Sequence, residues 1–440
     1  MEVSLMDILN ARDARAQRQR ELLDRFGKPL ICFTMNIAGP EKVNPLILEG
    51  FALGRELLDA QLAGLPILLE EYRTAPTGCE LMLVVDADAE KLKAITTEIE
   101  DAFPVGRLFD MDVLAPDGTK LSRGEIGQPE RRCLLCDKPA YQCSRSRAHS
   151  VAQLREETTR ILTDALREKK AKTIAALAQK ALLYEVCVTP KPGLVDRRNS
   201  GSHRDMDIFT FMSSTAALGP YFETCARIGF SEPDPEAAFE KLRFHGRMAD
   251  LAMLRATGGV NTHKGAIFTL GLLCCAAAAK GPGTDAILNR CADMTKGIVD
   301  RDFAGITAET AQTNGQKLYA KYGITGIRGE AEAGFPTVAN AGLPALEKTL
   351  ADGCSEDEAG CAALLAILAA ADDTNLIARS SRETQLQVRQ IVSRLIQEDP
   401  RPSETVLTDL DSQFIRDNLS PGGSADLLSA TWFLHFLKEI

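Results

Sequence analysis

The chain has 440 residues, 45% hydrophobic and 25% charged, with a formal net charge of -10. This length exceeds a usual single core, so two or three domains are expected, and the ordinary composition excludes disorder and fibrous repeats. Charges of both signs are interspersed, which argues against a general nucleic-acid binder or a membrane-surface protein but leaves room for local phosphate sites.

The opening segment MEVSLMDILNARDARAQRQRELL mixes acids and arginines on an amphipathic helical pattern and lacks the apolar stretch and cleavage site of a signal peptide. A cytoplasmic location is expected, and the 12 cysteines are read as reduced thiols. Apolar runs ending in turn residues at 29–39, 79–87 and 106–118 predict strands, and the patterns at 46–62 and 89–103 predict helices covering a sheet face. The fold class expected here is multidomain: an N-terminal α+β domain with a mixed sheet, then an all-α C-terminal domain. The charged run 155–172 holds the seam, which gives domains at 1–165 and 166–440.

Within GRLFDMDV, Asp110 and Asp112 are two apart on a predicted strand and share one face. Adjacent carboxylates repel unless a cation joins them, and Mg2+ between carboxylates and substrate phosphates is suited to transfer at phosphorus. The bland alternative is a solvated strand end. Downstream, Cys133, Cys136, Cys143 and His149 offer four zinc ligands in a spacing that matches no common finger. Arg131, Arg132, Arg145 and Arg147 flank them and could themselves bind phosphate.

The segments TMNIAGPEKVNP, TGCE, GRLFDMDV, LSR and RRCLLCDKPAYQCSRSRAHS together resemble the citrate lyase holo-acyl-carrier-protein synthase family over roughly residues 1–160. That family transfers phosphoribosyl-dephospho-CoA from its triphosphate to a serine of the apo acyl-carrier (gamma) subunit of citrate lyase, releasing pyrophosphate. The resemblance implies Mg2+ on Asp110 and Asp112, with Arg123 and Arg145 stabilising the departing pyrophosphate. No base for the carrier serine stands out.

Beyond residue 151 the pattern is helical. The segment 187–214, rich in turn residues through Gly201 and then helical, gathers Lys191, Asp196, Arg197, Asn199, His203, Asp205 and Asp207 near a helix start, where N–H groups favour anions. A capping loop is the plain alternative. In TGGVNTHKGAIFTLG, Gly258 and Gly259 permit a tight turn, and Asn261, Thr262, His263 and Lys264 precede an apolar run that is read as a buried helix because it is too short to span a bilayer. The spacing is not that of a Walker A loop. Asp372, Asp373, Asn375 and Arg379 interrupt another apolar helix, and the PGG turn at 421–423 opens a last one bearing Asp426 and Trp432, the latter read as core.

In order, KPGLVDRRNSGSHRDMD, TGGVNTHKGAIFTLG, GEAEAGFP, DDTN and SPGGSADLL resemble triphosphoribosyl-dephospho-CoA synthase across about 270 residues. That family joins ATP and 3′-dephospho-CoA by glycosyl transfer and releases adenine. Such chemistry needs a carboxylate near the anomeric carbon, a base and an acid. The resemblance implies that Lys191, Arg197, His203, Gly259, Asn261, Thr262, Lys264, Asp373 and Asn375 bind substrate. Asp196, Asp205, Asp207 and His263 are the catalytic candidates, with Asp205 and Asp207 as Mg2+ ligands. Glu185, Glu330, Glu332 and Asp426 are further candidates. Alternative readings are the same two steps for malonate decarboxylase, a first half that only docks the carrier subunit, and hydrolysis of an N-glycosidic bond.

Overall fold

A computed structural model describes residues 3–439; Met1, Glu2 and Ile440 lie outside the described residues. Packing divides the chain into two units, 1–169 and 170–440.

In the first unit, α1 (Leu5–Phe26) begins with a Ser4/Asp7 capping box and stops at Gly27, which supplies the left-handed C-cap. It is followed by β1 (Leu30–Met35), α2 (Pro45–Gln61), β2 (Ile67–Ala75), β3 (Gly78–Val85), α3 (Ala89–Ala102) and β4 (Phe109–Leu114). Among the described residues these strands form one sheet in the order β2-β3-β1-β4, and every pair is antiparallel. The expected mixed sheet is therefore corrected. Each helical crossover leaves a one-strand gap, filled by β3 between β1 and β2 and by β1 between β3 and β4. The result is a βαββαβ interleaving of two split units. β2 escaped the pattern reading because its side chains are mostly exposed.

Strand alternation gives the sheet two apolar faces. Ile31, Phe33, Leu81, Leu83, Phe109 and Met111 pack under α2 and α3, with Phe33 stacked on Phe51 at 4.4 Å. Leu30, Cys32, Met82 and Val84 meet Leu22 and Leu23 of α1 on the other face. A short α4 (Ala140–Ser146) follows, and the division between units falls inside α5 (Val151–Cys187).

The second unit is helical: α6 (Ile208–Ser231), α7 (Pro235–Ala256), α8 (Lys264–Lys280), α9 (Thr284–Thr295), α10 (Ile298–Phe303), α11 (Asn314–Tyr322) and α12 (Gly326–Glu332). These lead to α13 (Leu343–Ala351), α14 (Glu356–Ala370), α15 (Thr374–Arg379), α16 (Arg382–Glu398), α17 (Glu404–Arg416) and α18 (Gly422–Phe436). Helices α8, α14 and α18 are apolar on nearly every face and lie buried together, with Trp432 1% exposed. The starts of α8 and α18 and the C-terminal end of α14 are thereby brought to a common region. Among the described residues no single helix is long and apolar enough to cross a membrane.

Candidate active sites

In the first unit, β4 turns Asp110 and Asp112 to the face away from Phe109 and Met111, and both acids are half-buried. Burial and then the neighbouring Asp112 carboxylate raise the Asp110 carboxyl above its ordinary range, against the pull of Lys120 and Arg131. Lys120 Nζ lies 2.6 Å from Asp112 Oδ2, and Arg131 donates to the Phe109 carbonyl. Two oxygen donors whose mutual repulsion is only partly relieved fit a hard divalent cation.

The outer edge of β4 is closed by side chains. Met111 N–H donates to Glu100 at 2.9 Å, and Lys93 Nζ donates to the Met111 carbonyl at 3.4 Å. Arg123 is held by Glu100 at 2.6 Å and by both Asp101 oxygens at 3.0 Å. Arg145 is exposed and lies over the Tyr141 ring at 5.8 Å. Cys133, Cys136, Cys143 and His149 converge, with every ligand atom within 4.8 Å of the others.

The second unit holds a cavity of about 1110 Å³. Its lining includes the cations Arg243, Arg247, Lys264, Arg328, Arg379 and Arg382 and the acids Glu185, Asp250, Asp302, Glu330, Asp372, Asp373 and Asp426. Asn261, Thr262, His263, Lys264 and Gly265, at the start of α8, contribute together, as do His203 and Asn375. Gly258 and Gly259 take φ of 65° and 97° and form the turn before them, outside the lining.

His263 is 2% exposed. Its Nδ1 lies 2.7 Å from Ser214 Oγ, which accepts from Thr262 Oγ1 at 2.8 Å. The Thr262 donation leaves the Ser214 proton available to Nδ1, and with that proton given to Nδ1 the ring proton sits on Nε2. That nitrogen is buried without a protein partner. Burial, and then the charge of Lys191, lower the imidazole pKa to about 3, so the ring is neutral. A second buried orphan is Asp250 Oδ1, whose carboxyl is raised by burial and drawn down by Lys264.

The Asp373 carboxylate joins two helix starts. One oxygen accepts from the Asn375 and Leu376 N–H groups at 3.0 Å, and the other from Ser424 N–H and Oγ at 2.6 and 2.8 Å. Burial still raises its carboxyl. Asp426 approaches α8 so closely that a Cβ on Gly265 would fall 1.8 Å from its Oδ2. Burial, then Glu185 and Asp373, push the Asp426 carboxyl well up.

His203 Nε2 lies 2.8 Å from Ser420 Oγ and its Nδ1 3.1 Å from Arg379; burial and Arg379 lower its pKa. Glu330 accepts from Thr337 N–H and Oγ1 at 3.2 and 2.5 Å. Burial alone would raise Asp302, but Arg328 and Arg243, at 2.8 and 3.0 Å, outweigh it and leave the carboxyl low.

Other residues singled out from sequence stand outside this lining. Lys191 is 1% exposed and its Nζ lies 2.5 Å from Glu185 Oε1. Asp196 ties its own loop, accepting from Lys191, Arg198 and Asn199 N–H groups at 3.0, 2.7 and 3.1 Å. Arg197 pairs with Asp357, and Asp205 is exposed 4.0 Å from His203. Asp207 is the N-cap of α6, and Glu332 accepts from Gly297 and Val299 N–H groups. Pattern reading missed Asp250, Arg243, Arg247, Asp302, Arg328 and Arg382. The one available signal was Asp250 standing among the apolar residues of MADLAML.

The family model for ATP:dephospho-CoA triphosphoribosyl transferase, CitG, matches residues 171–440. That for apo-citrate lyase phosphoribosyl-dephospho-CoA transferase, CitX, matches residues 3–165. Protein CitXG of Leuconostoc mesenteroides subsp. cremoris is 35% identical over 98% of this chain and 97% of its own length. Protein CitXG of Haemophilus influenzae is 33% identical over 99% and 97%. The 2-(5''-triphosphoribosyl)-3'-dephosphocoenzyme-A synthase of Pectobacterium atrosepticum is 40% identical over 58% of this chain and 86% of its own.

Proposed function

This chain belongs to the CitXG family, in which CitX and CitG domains are fused, and we propose that its two units divide the work, 1–165 loading the carrier and 166–440 making the group to be loaded. It is a bifunctional transferase that makes and attaches the citrate lyase prosthetic group. ATP and 3′-dephospho-CoA yield 2′-(5″-triphosphoribosyl)-3′-dephospho-CoA and adenine. Phosphoribosyl-dephospho-CoA then passes to the apo acyl-carrier subunit, and pyrophosphate is released.

The observation that carries the synthase assignment is that one cavity is lined by both His263 and Asp250, each of which carries a buried polar atom, Nε2 and Oδ1, with no hydrogen-bond partner in the protein. In the reaction, the bond from C1′ of the ATP ribose to adenine breaks and the 2′-oxygen of dephospho-CoA bonds C1′. The hydroxyl loses its proton and the departing base gains one. Asp250 accepts the hydroxyl proton, its raised carboxyl suiting a base. Neutral His263 donates from Nε2 to a substrate acceptor. Lys264, Arg243, Arg247 and Arg379 receive the triphosphate, and Asp373 holds the α15 and α18 starts that frame it.

Where a Mg2+ ion joins the nucleotide it neutralises phosphate charge, and Asp426, with Glu185 nearby, is better placed to hold it than the capped Asp207 or exposed Asp205. In the first unit Asp110 and Asp112 are the corresponding pair, and Arg131 beside them faces the pyrophosphate that leaves.

The test incubates the full chain with ATP, dephospho-CoA, Mg2+ and apo carrier subunit, following adenine, pyrophosphate and carrier mass. Adenine and a loaded carrier are expected. Failure to release adenine would overturn the synthase assignment.

A further inference from the structure

The segment 122–150 holds few residues able to build a core. Only Cys133 and Cys143 within it are buried, among charged and exposed neighbours. A stretch of this length without an apolar centre needs another fastening to keep one conformation.

We propose that Cys133, Cys136, Cys143 and His149 bind a zinc ion in a closed, four-ligand site that fastens this segment to the edge of the sheet. A tetrahedral zinc with ordinary bond lengths sets sulfurs about 3.8 Å apart and sulfur and nitrogen about 3.6 Å apart. Cys136 Sγ lies 3.5 Å from Cys143 Sγ and 3.4 Å from His149 Nε2, and all four ligand atoms lie within 4.8 Å. Three soft thiolates with one imidazole select zinc over magnesium or calcium, and four protein ligands leave no position for a reacting water.

The surrounding backbone is that of a metal-holding turn. Cys133 N–H donates to the Lys138 carbonyl at 2.7 Å, and the N–H groups of Leu135 and Cys136 point at the Cys133 sulfur. Ala148 N–H donates to the Cys143 carbonyl at 3.1 Å, which returns the chain toward His149. The fastening reaches the acid pair. Arg107 donates to the Cys133 carbonyl, and Arg131, two residues before Cys133, donates to the carbonyl of Phe109 beside Asp110. Zinc thus positions Arg131.

The ion's presence is independent of the carrier-loading assignment; its effect on loading rests on it. Full-length protein from zinc-supplemented cells is measured by elemental mass spectrometry and zinc-edge X-ray absorption. One zinc per chain with three sulfur ligands and one nitrogen is expected, lost in Cys136→Ser and His149→Ala but kept in His149→Cys. Wild-type protein without stoichiometric zinc, or with a Cys136–Cys143 disulfide in non-reducing peptide maps, would overturn the site. Chelator-stripped full-length protein should load carrier from preformed triphosphate at least roughly tenfold more slowly, with adenine release unchanged. Unchanged loading would overturn the positioning role. Zinc present but no loading by untreated protein would instead refute the carrier-loading assignment and leave the metal site standing.

Discussion

Ser214 Oγ and His263 Nδ1 lie 2.7 Å apart, joining α6 to the start of α8 through two buried side chains. The contact orients the imidazole and, with Ser214 as donor, keeps the ring proton on Nε2. Ser214→Ala frees that choice and strands Nδ1. Adenine release should fall roughly tenfold, and stability by about 1–3 kcal/mol. Steady-state adenine assays and denaturant unfolding measure the two effects. Lost stability with undiminished turnover would assign the pair to packing alone.

The same histidine predicts a pH dependence of stability. Its pKa falls from 6.5 to about 3 on folding, first through burial and then through Lys191. Between these values the unfolded chain binds the proton and the folded chain does not. Stability contributed by the neutral ring is therefore full above pH 6.5 and is lost as pH falls toward 3. Asp426 and Asp373 are raised and contribute in the opposite direction. Comparison with His263→Gln isolates the histidine. The pH dependence of wild-type stability minus that of the variant should slope downward from pH 6.5 to 4; a flat difference would contradict the buried neutral ring.

Asp110 and Asp112 were legible because strand alternation is a two-residue rule, and β4 obeys it between core residues. The start of α8 was legible because a wholly apolar helix must point a polar end somewhere. Asp250, Arg243 and Arg247 were not, since a helix face lining a cavity has the composition of one lining solvent. Asp207 illustrates the converse. Its position before a helix drew attention, but the capping box already uses its carboxylate. The antiparallel sheet was equally hidden, because nothing local tells whether a helical crossover leaves a gap for another strand.

Gly265 has no room for a side chain. Its added Cβ would meet Asp426 Oδ2 at 1.8 Å, so Gly265→Ala must push the acid out or displace the start of α8. Adenine release should drop by roughly 100-fold or more, whereas loading of carrier from preformed triphosphate should persist. Asp110→Asn should give the reverse pattern. Parallel assays of both steps on both variants check the division; equal loss of both steps in either variant would refute separate sites.

Lys191 and Glu185 permit a test of what a buried cation does near this cavity. Lys191 Nζ donates to both the carboxylate and the backbone carbonyl of Glu185 at 2.5 Å, and both residues are nearly inaccessible. Burial raises the Glu185 carboxyl against the pull of the lysine. Lys191→Met should therefore cost roughly 3–5 kcal/mol, because it leaves an uncompensated acid, while Lys191→Met with Glu185→Leu should recover most of that loss. Stability comes from urea unfolding and activity from adenine release at saturating ATP. If Lys191 serves the fold, the double variant regains stability and has the same KM for ATP as Glu185→Leu alone, whatever loss of Glu185 from the cavity lining does to kcat. A stable double variant whose KM for ATP is roughly tenfold or more above that of Glu185→Leu alone would return Lys191 to the phosphate-binding role suggested by its loop.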